Sequence, residues 1–340
     1  MIVLGIETSC DETAVAVVND NHEILAHNVL SQLDEHVPYG GVVPEIAARA
    51  HLDHLDGLVR KTMAEAGMTY DQLDAIAATA GPGLIGGVMV GLMTAKALAL
   101  SAQKPLIAVN HLEAHALTVR LTHRVDVPFL LLLVSGGHCQ ILHVHDIGDY
   151  ELLGQTIDDA VGEAFDKVAK MMGLPYPGGP RLEQLLPLAN AANAAKIELP
   201  RPLLKRPNAD FSFAGLKTAV RQYINGRVLS EQEQADLSLA FHQSVAEILV
   251  DRLYQGLKKI PAAQRPKTLV VAGGVAANQF LCAALKEFCD RQKLDFVSPP
   301  IKLCTDNAAM IAWAGVEKFR LGQQDGLDVA ARPRWPLQKQ

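Results

Sequence analysis

The chain has 340 residues, 49% of them apolar and 20% charged, a composition that supports about two domains with full hydrophobic cores and excludes a disordered chain or a disulfide-stapled miniature. Its 31 basic and 37 acidic side chains leave a formal charge of -6, so nucleic acid must meet a local basic patch or arrive with a partner's help. Five scattered cysteines, Cys10, Cys139, Cys282, Cys289 and Cys304, form no C-x-x-C pair, which argues against a zinc ribbon and for a reducing cytoplasm.

The first element is an apolar run, Ile2 to Ile6, with no basic segment before it, so no signal peptide is expected. A turn from Glu7 to Thr13 and a second apolar run, Ala14 to Val18, complete a hairpin pattern. Ala75 to Ala78 then leads into the glycine-rich turn Gly81-Pro82-Gly83-Leu84-Ile85-Gly86-Gly87 and a helix reaching about Leu100. The most apolar stretch, Val88 to Leu100, contains Gly91 and Lys96 and falls short of the ~20 residues that span a bilayer. No membrane segment is expected.

Next, Asn110-His111-Leu112-Glu113-Ala114-His115 sets two imidazoles at i and i+4 on one helical face, where both nitrogens reach one metal. Two ligands are too few, and an ordinary histidine pair remains open until a distant carboxylate joins them. A metalloprotease of the H-E-x-x-H type is poorly supported, because Leu112 stands where that motif has its glutamate and Glu113 is turned about 100° further round the helix.

A second hairpin pattern runs from Phe129 to Val134, through Ser135-Gly136-Gly137-His138, to Cys139–Val144. Gly136 and Gly137 are expected to allow positive φ and to form an anion-binding nest. Asp159, Glu163 and Asp166 recur at i, i+4 and i+7, one acidic helix face that a cation, ribose hydroxyls or Lys167 and Lys170 must offset. Residues 175 to 207 hold seven of the 18 prolines and read as an insertion or lid. Its cluster Arg201, Lys205 and Arg206 is either a solvated loop surface or a contact for nucleic acid. Thr268 to Ala272 reads as a strand, followed by Gly273-Gly274-Val275-Ala276-Ala277-Asn278 and a helix from Gln279 to Arg291. Finally, Cys304-Thr305-Asp306-Asn307 opens an alanine-rich helix at Ala308, where Asp306 is either an N-cap or a functional carboxylate. Alternating strands and helices imply an α/β fold. Ser9, Asp11 and Glu12 in the first turn, with Gly273 and Gly274, are the candidates for holding a phosphate.

Nine ordered motifs, from Gly5-Ile6-Glu7-Thr8-Ser9-Cys10-Asp11-Glu12-Thr13 through the His111–His115 and Val134–His138 segments to Ala272-Gly273-Gly274-Val275-Ala276-Ala277-Asn278 and Cys304-Thr305-Asp306-Asn307, span nearly the whole chain. Together they resemble the TsaD/YgjD family. The resemblance implies a two-lobed actin-like, sugar-kinase-like ATPase (ASKHA) fold with duplicated lobes and a site in the interlobe cleft. The N-terminal lobe is expected to take residues 1–108 plus about 308–340, and the C-terminal lobe 109–307. The implied activity transfers threonylcarbamoyl from threonylcarbamoyl-adenylate to N6 of the adenosine 3′ of the anticodon in tRNA, releasing AMP. His111, His115 and Asp306 match the family's metal ligands, for one divalent ion, iron favoured over zinc. Val134, Ser135, Gly136, Gly137, His138, Asp166, Gly179, Asn278 and, less securely matched, Glu183 fall at substrate-binding positions; Ser135 and His138 are the catalytic candidates. Implied partners are tRNA, an inactive TsaB-like paralogue and a small TsaE-like ATPase, in the cytoplasm. A metal-dependent glycoprotein endopeptidase and a regulatory ATPase of the same fold are the competing readings.

Overall fold

A computed structural model describes residues 1–337. They form two compact units, one comprising Met1–Asp126, Asp146–Asp149 and the stretch from Thr305, the other Val127–His145 and Tyr150–Cys304.

In the first unit β1 (Ile2–Glu7), β2 (Glu12–Asn19), β3 (Ile24–Ser31), β4 (Ala75–Gly81) and β5 (Leu106–Asn110) lie in the order β3-β2-β1-β4-β5. The β1–β2 and β2–β3 pairs are antiparallel, whereas β1–β4 and β4–β5 are parallel. β1 and β4 are buried almost throughout because helices cover both faces of the sheet. Leu4, Ile6, Val15 and Val17 pack with Leu55, Val59, Leu92 and Ala95 from the helices Pro44–Glu65 and Ile85–Ala102. On the other face, Gly5 lets the helix Ala308–Arg320 lie directly on β1, since a Cβ there would stand 2.5 Å from the Ala308 carbonyl oxygen and the Ala312 nitrogen. That close approach sets where Asp306 enters the unit.

The second unit repeats the plan. Its strands β6 (Phe129–Val134), β7 (Cys139–Asp146), β8 (Asp149–Gln155), β9 (Thr268–Ala272) and β10 (Asp295–Val297) lie in the order β10-β9-β6-β7-β8. Counted within the unit, this is the same arrangement as in the first: an antiparallel β6–β7 hairpin, then parallel β6–β9 and β9–β10 pairs. Both expected hairpins are therefore the opening hairpins of equivalent sheets. The long helix Glu231–Lys259 starts at a capping box in which Ser230 and Glu233 satisfy each other's backbone N–H groups, and Phe241, Val245, Ile248 and Leu249 bury its inner face.

Two expectations change. The boundaries at 108/109 and about 307/308 give way to a first unit that takes in the helix His111–His123 and the stretch from Thr305. The reason is local: β5 runs straight into that helix, whose N-cap Asn110 accepts hydrogen bonds from the Leu112 and Glu113 N–H groups, and the helix packs on Ala308–Arg320. The proline-rich segment 175–207 is also no detached lid. It forms the helix Gly178–Leu185 and single turns, and Leu182, Ala194 and Leu199 are buried in the core of the second unit.

The helix Ile85–Ala102, at 18 residues, is long and apolar enough to cross a membrane by length and composition. It instead buries Gly87, Val88, Gly91, Leu92, Ala95 and Ala99 within its unit and leaves Ile85, Met89, Met93 and Leu100 exposed.

Candidate functional site

His111 and His115 occupy successive turns of one helix, and their rings meet edge to face with centroids 4.7 Å apart. Asp306 reaches them from the start of the C-terminal helix: its Oδ1 lies 3.3 Å from His111 Nε2 and 3.2 Å from His115 Nε2. Asp306 is free to do so because the N-cap of that helix is the next residue, Asn307, whose side chain accepts from the Met310 N–H. A metal about 2.0–2.2 Å from each donor requires donors roughly 3.0–3.5 Å apart, and these separations match it.

Behind the pair stands Glu7, completely buried at the end of β1. Its Oε2 lies 2.9 Å from His111 Nδ1 and accepts from the Thr79 hydroxyl, while its Oε1 accepts the Ser9 N–H. Ser9 Oγ lies 3.1 Å from the same imidazole nitrogen. With Nδ1 held from behind, Nε2 faces Asp306, the orientation that a metal-ligating histidine takes from its outer partners. Without a metal, burial pushes the His111 imidazole toward neutrality, but Asp306 and Glu7 outweigh it and raise its pKa well above the usual value. Burial likewise opposes ionisation of Asp306, yet His111 and His115 hold its carboxyl far below the usual range. His115, with burial dominant, stays lowered. Two buried imidazoles between the buried Glu7 and the part-exposed Asp306 form a donor set suited to a divalent cation, and the residues fit one.

The first hairpin turn departs from the phosphate-holding expectation. The Ser9 N–H is already donated to Glu7. Asp11 is buried, and Glu12, desolvated and beside Asp306 and Asp11, has its pKa raised well above normal. The Ser9 N–H is therefore not available to an anion in this turn. His51, which the sequence reading passed over, holds it from below, with Nδ1 2.8 Å from Thr13 Oγ1 and Nε2 3.0 Å from the Cys10 carbonyl oxygen.

In the second unit, the turn Ser135–His138 is closed by the Ser135 N–H on the His138 carbonyl and the His138 N–H on Ser135 Oγ, bonds that use neither glycine amide. Gly136 and Gly137 are exposed, with no atom within 4 Å of a built Cβ, and neither has positive φ. Their service is open access rather than a left-handed backbone. Positive φ falls instead at Gly273, at +94°, where a Cβ would stand 2.4 Å from the Val134 carbonyl oxygen. Gly162 permits a second close approach, since its Cβ would lie 2.6 Å from the Ser135 carbonyl oxygen. The turn is thus cradled by the start of the helix Val161–Met171 on one side and the Gly273 turn on the other.

The acidic trio is divided by its partners. Lys167 pairs with Asp159 and Glu163, and Lys217 with Asp159, so these two carboxylates serve the fold. Asp166 accepts the Gly178 N–H at 2.8 Å beside Gly179. Glu183 Oε1 accepts the Gln279 and Phe280 N–H groups at the start of the helix Gln279–Gln292, and Asn278 caps that helix by accepting from Leu281. The expected binding residues Glu183 and Asn278 therefore have structural bonds within the Gly273–Asn278 turn region.

Asn278 Nδ2 lies 3.1 Å from His242 Nε2, and His242 Nδ1 lies 2.8 Å from the Ser238 carbonyl oxygen. Burial lowers the His242 pKa to about 4, with the Ser238 carbonyl opposing. The folded chain then binds fewer protons than the unfolded one between about 4 and 6.5. His242 contributes stability that is full above about pH 6.5 and lost as pH falls toward 4, on the order of 3 kcal/mol in total. Denaturant midpoints should fall across that window, and His242→Gln should flatten the fall; parallel profiles would remove His242 as its cause.

The duplicated sheets agree with structural neighbours. The T. kodakarensis protein HypF aligns with a TM-score of 0.62 at 14% identity, covering 94% of this chain and 48% of that one. Component A of (R)-2-hydroxyglutaryl-CoA dehydratase from Acidaminococcus fermentans aligns at 0.53 and 15%, covering 95% and 100%. The chain thus has the duplicated-sheet α/β fold of the actin-like and sugar-kinase-like (ASKHA) class. Residues 23–313 match the profile of TsaD, tRNA N6-adenosine threonylcarbamoyltransferase. Relatives of that name include one from Paramagnetospirillum magneticum, 59% identical over 341 residues (99% of this chain, 97% of the relative), and one from Brucella anthropi, 57% identical over 346 residues (99% and 95%). The chain belongs to the TsaD family and is an acyltransferase that modifies tRNA adenosine at N6 with a threonylcarbamoyl group.

Proposed function

We propose that the donor is threonylcarbamoyl-adenylate, that the acceptor is the adenosine 3′ of the anticodon in tRNAs reading codons that start with A, that AMP leaves, and that the enzyme depends on a metal at His111, His115 and Asp306. The convergence of those three side chains, with Glu7 buried behind His111, carries the reading. A divalent ion held there, iron in preference to zinc on the family resemblance, supplies a Lewis acid for oxygens of the threonylcarbamoyl group. In the second unit, the open Gly136 and Gly137 amides receive the donor's phosphate, and Asp166 accepts from its ribose hydroxyls. The N6 amine is a weak nucleophile and the attacked carbonyl gains negative charge, so positioning and hydrogen-bond donors govern the rate more than a strong base. Ser135 and His138 stay the nearest catalytic candidates because they frame that turn. A peptidase reading loses support, since Leu112 is buried and Glu113 lies 3.6 Å from Lys318.

The test is mass spectrometry of tRNA nucleosides after depletion of the protein and complementation with wild type or His111→Ala/His115→Ala. Restored threonylcarbamoyladenosine with wild type alone supports the reading; restoration by both removes the metal.

For Asp166, calorimetry with a non-hydrolysable adenylate analogue should show binding weakened about ten- to a hundredfold in Asp166→Ala. Asp166→Asn, which keeps an acceptor for the Gly178 N–H, separates the charge from the local fold.

Partners follow from surface chemistry. The exposed Ile85, Met89, Met93 and Leu100, with Leu52 on the helix beside them, support docking of a TsaB-like paralogue; a TsaE-like ATPase rests on the family resemblance, and a cytoplasmic location on action on tRNA. Arg201 is paired with Glu247 in two hydrogen bonds and drops out of the basic cluster, leaving Lys205 and Arg206 exposed. Arg332 and Arg334 are exposed in the tail. So few cations give weak tRNA binding by the isolated chain at physiological salt. Reversing the charges of Lys205 and Arg206 should lower transfer to tRNA and leave adenylate binding unchanged; tight filter binding by the isolated chain, unaffected by the reversal, would refute both the patch and the need for partners.

A further inference from the structure

His143 and His145 project from the same face of β7, two residues apart, and Glu151 comes from β8 beside it. Their rings lie 4.0 Å apart. Glu151 Oε2 is 3.3 Å from His145 Nε2 and 3.7 Å from His143 Nδ1, and one donor atom from each residue falls within 4.8 Å of the others. His143 is 2% exposed, yet among the described residues its Nε2 has no hydrogen-bond partner, and 3.7 Å is too long for Nδ1 to bond Glu151. A buried imidazole with an unpartnered nitrogen, set beside a second imidazole and a carboxylate, leaves room for a further partner, and an ion is one of the few that fits.

We infer that His143, His145 and Glu151 form a second metal site, for a borderline divalent transition ion of the zinc class, tying β7 to β8. Two imidazoles and one carboxylate are the donor types such ions take, whereas calcium and magnesium prefer all-oxygen sets. Rotation of the Glu151 side chain, which is 55% exposed, lets its carboxylate adjust to an ion without moving either strand. With His145 also exposed, at least one coordination position opens to solvent. This site shares no residue with the His111, His115 and Asp306 centre.

The experiment uses the full chain, stripped with chelator and titrated with Zn²⁺ alone by equilibrium dialysis, with Co²⁺ absorption as a second readout. The background is His111→Ala/His115→Ala, so that failure of the first centre and failure of this one are read separately. One equivalent of Zn²⁺ is expected in that background, with a Co²⁺ d–d band, and both should vanish on adding His145→Ala or Glu151→Gln. These two positions are exposed, so the substitutions leave the core intact; circular dichroism at wild-type strength checks this. No zinc in the background protein, or an equivalent retained after both substitutions, overturns the inference.

Discussion

Asp306→Ala is expected to leave the purified protein without its metal and to cut threonylcarbamoyl transfer by at least about a hundredfold, with adenylate affinity in the second unit little changed. Asp306 is the one carboxylate within reach of both His111 Nε2 and His115 Nε2 in the described cluster. Its removal also leaves His111, whose raised pKa it helps to cause, without a negative partner at Nε2. His111→Ala should do the same and further strand the buried Glu7, a cost in stability that Asp306→Ala avoids. Glu7→Gln should be milder than loss of a ligand: the amide oxygen still accepts, whereas its NH2 group cannot, and the charge behind Nδ1 is gone, a change typically worth about ten- to a hundredfold in metal affinity. Metal analysis beside single-turnover transfer checks the series. Full occupancy in Asp306→Ala and His111→Ala would remove the assignment.

The second large effect is expected from Gly273→Ala. An alanine Cβ would press on the Val134 carbonyl oxygen at 2.4 Å, and the φ of +94° is one that side-chain-bearing residues rarely adopt. Backbone lies on both sides of the clash, so relief requires the turn after β9 to move away from the end of β6. Two costs add: strain of about 1–3 kcal/mol at the residue, and displacement of the Ser135–His138 turn. The melting temperature should fall by several degrees, and adenylate affinity should fall with it. Gly136→Ala is the control, because its Cβ meets nothing within 4 Å; it should keep wild-type stability. Equal melting temperatures for Gly273→Ala and wild type would contradict the packing described.

Much of the architecture was legible locally. Apolar runs interrupted by Glu7–Thr13 and by Ser135–His138 marked two hairpins, and both are there as β1–β2 and β6–β7, because strand alternation and turn chemistry act over a few residues. The i, i+4 spacing of His111 and His115 likewise followed from helix geometry alone, and the family resemblance supplied Asp306. Glu7 left one trace, an acidic residue ending an otherwise apolar strand, but its role needs His111, which stands 104 positions later. The i, i+4, i+7 spacing of Asp159, Glu163 and Asp166 promised one acidic face, whereas Asp159 is held by Lys217, 58 residues further along the chain, as well as by Lys167. Unit membership of the His111 helix was decided in the same way, by packing on the helix Ala308–Arg320. Sequence determined this protein's hairpins, glycine turns and histidine spacing, since each is set by neighbours along the chain; only tertiary structure decided which charges are paired, which glycines are pressed by backbone and which carboxylate stands behind His111, since those depend on atoms that meet only when distant segments pack.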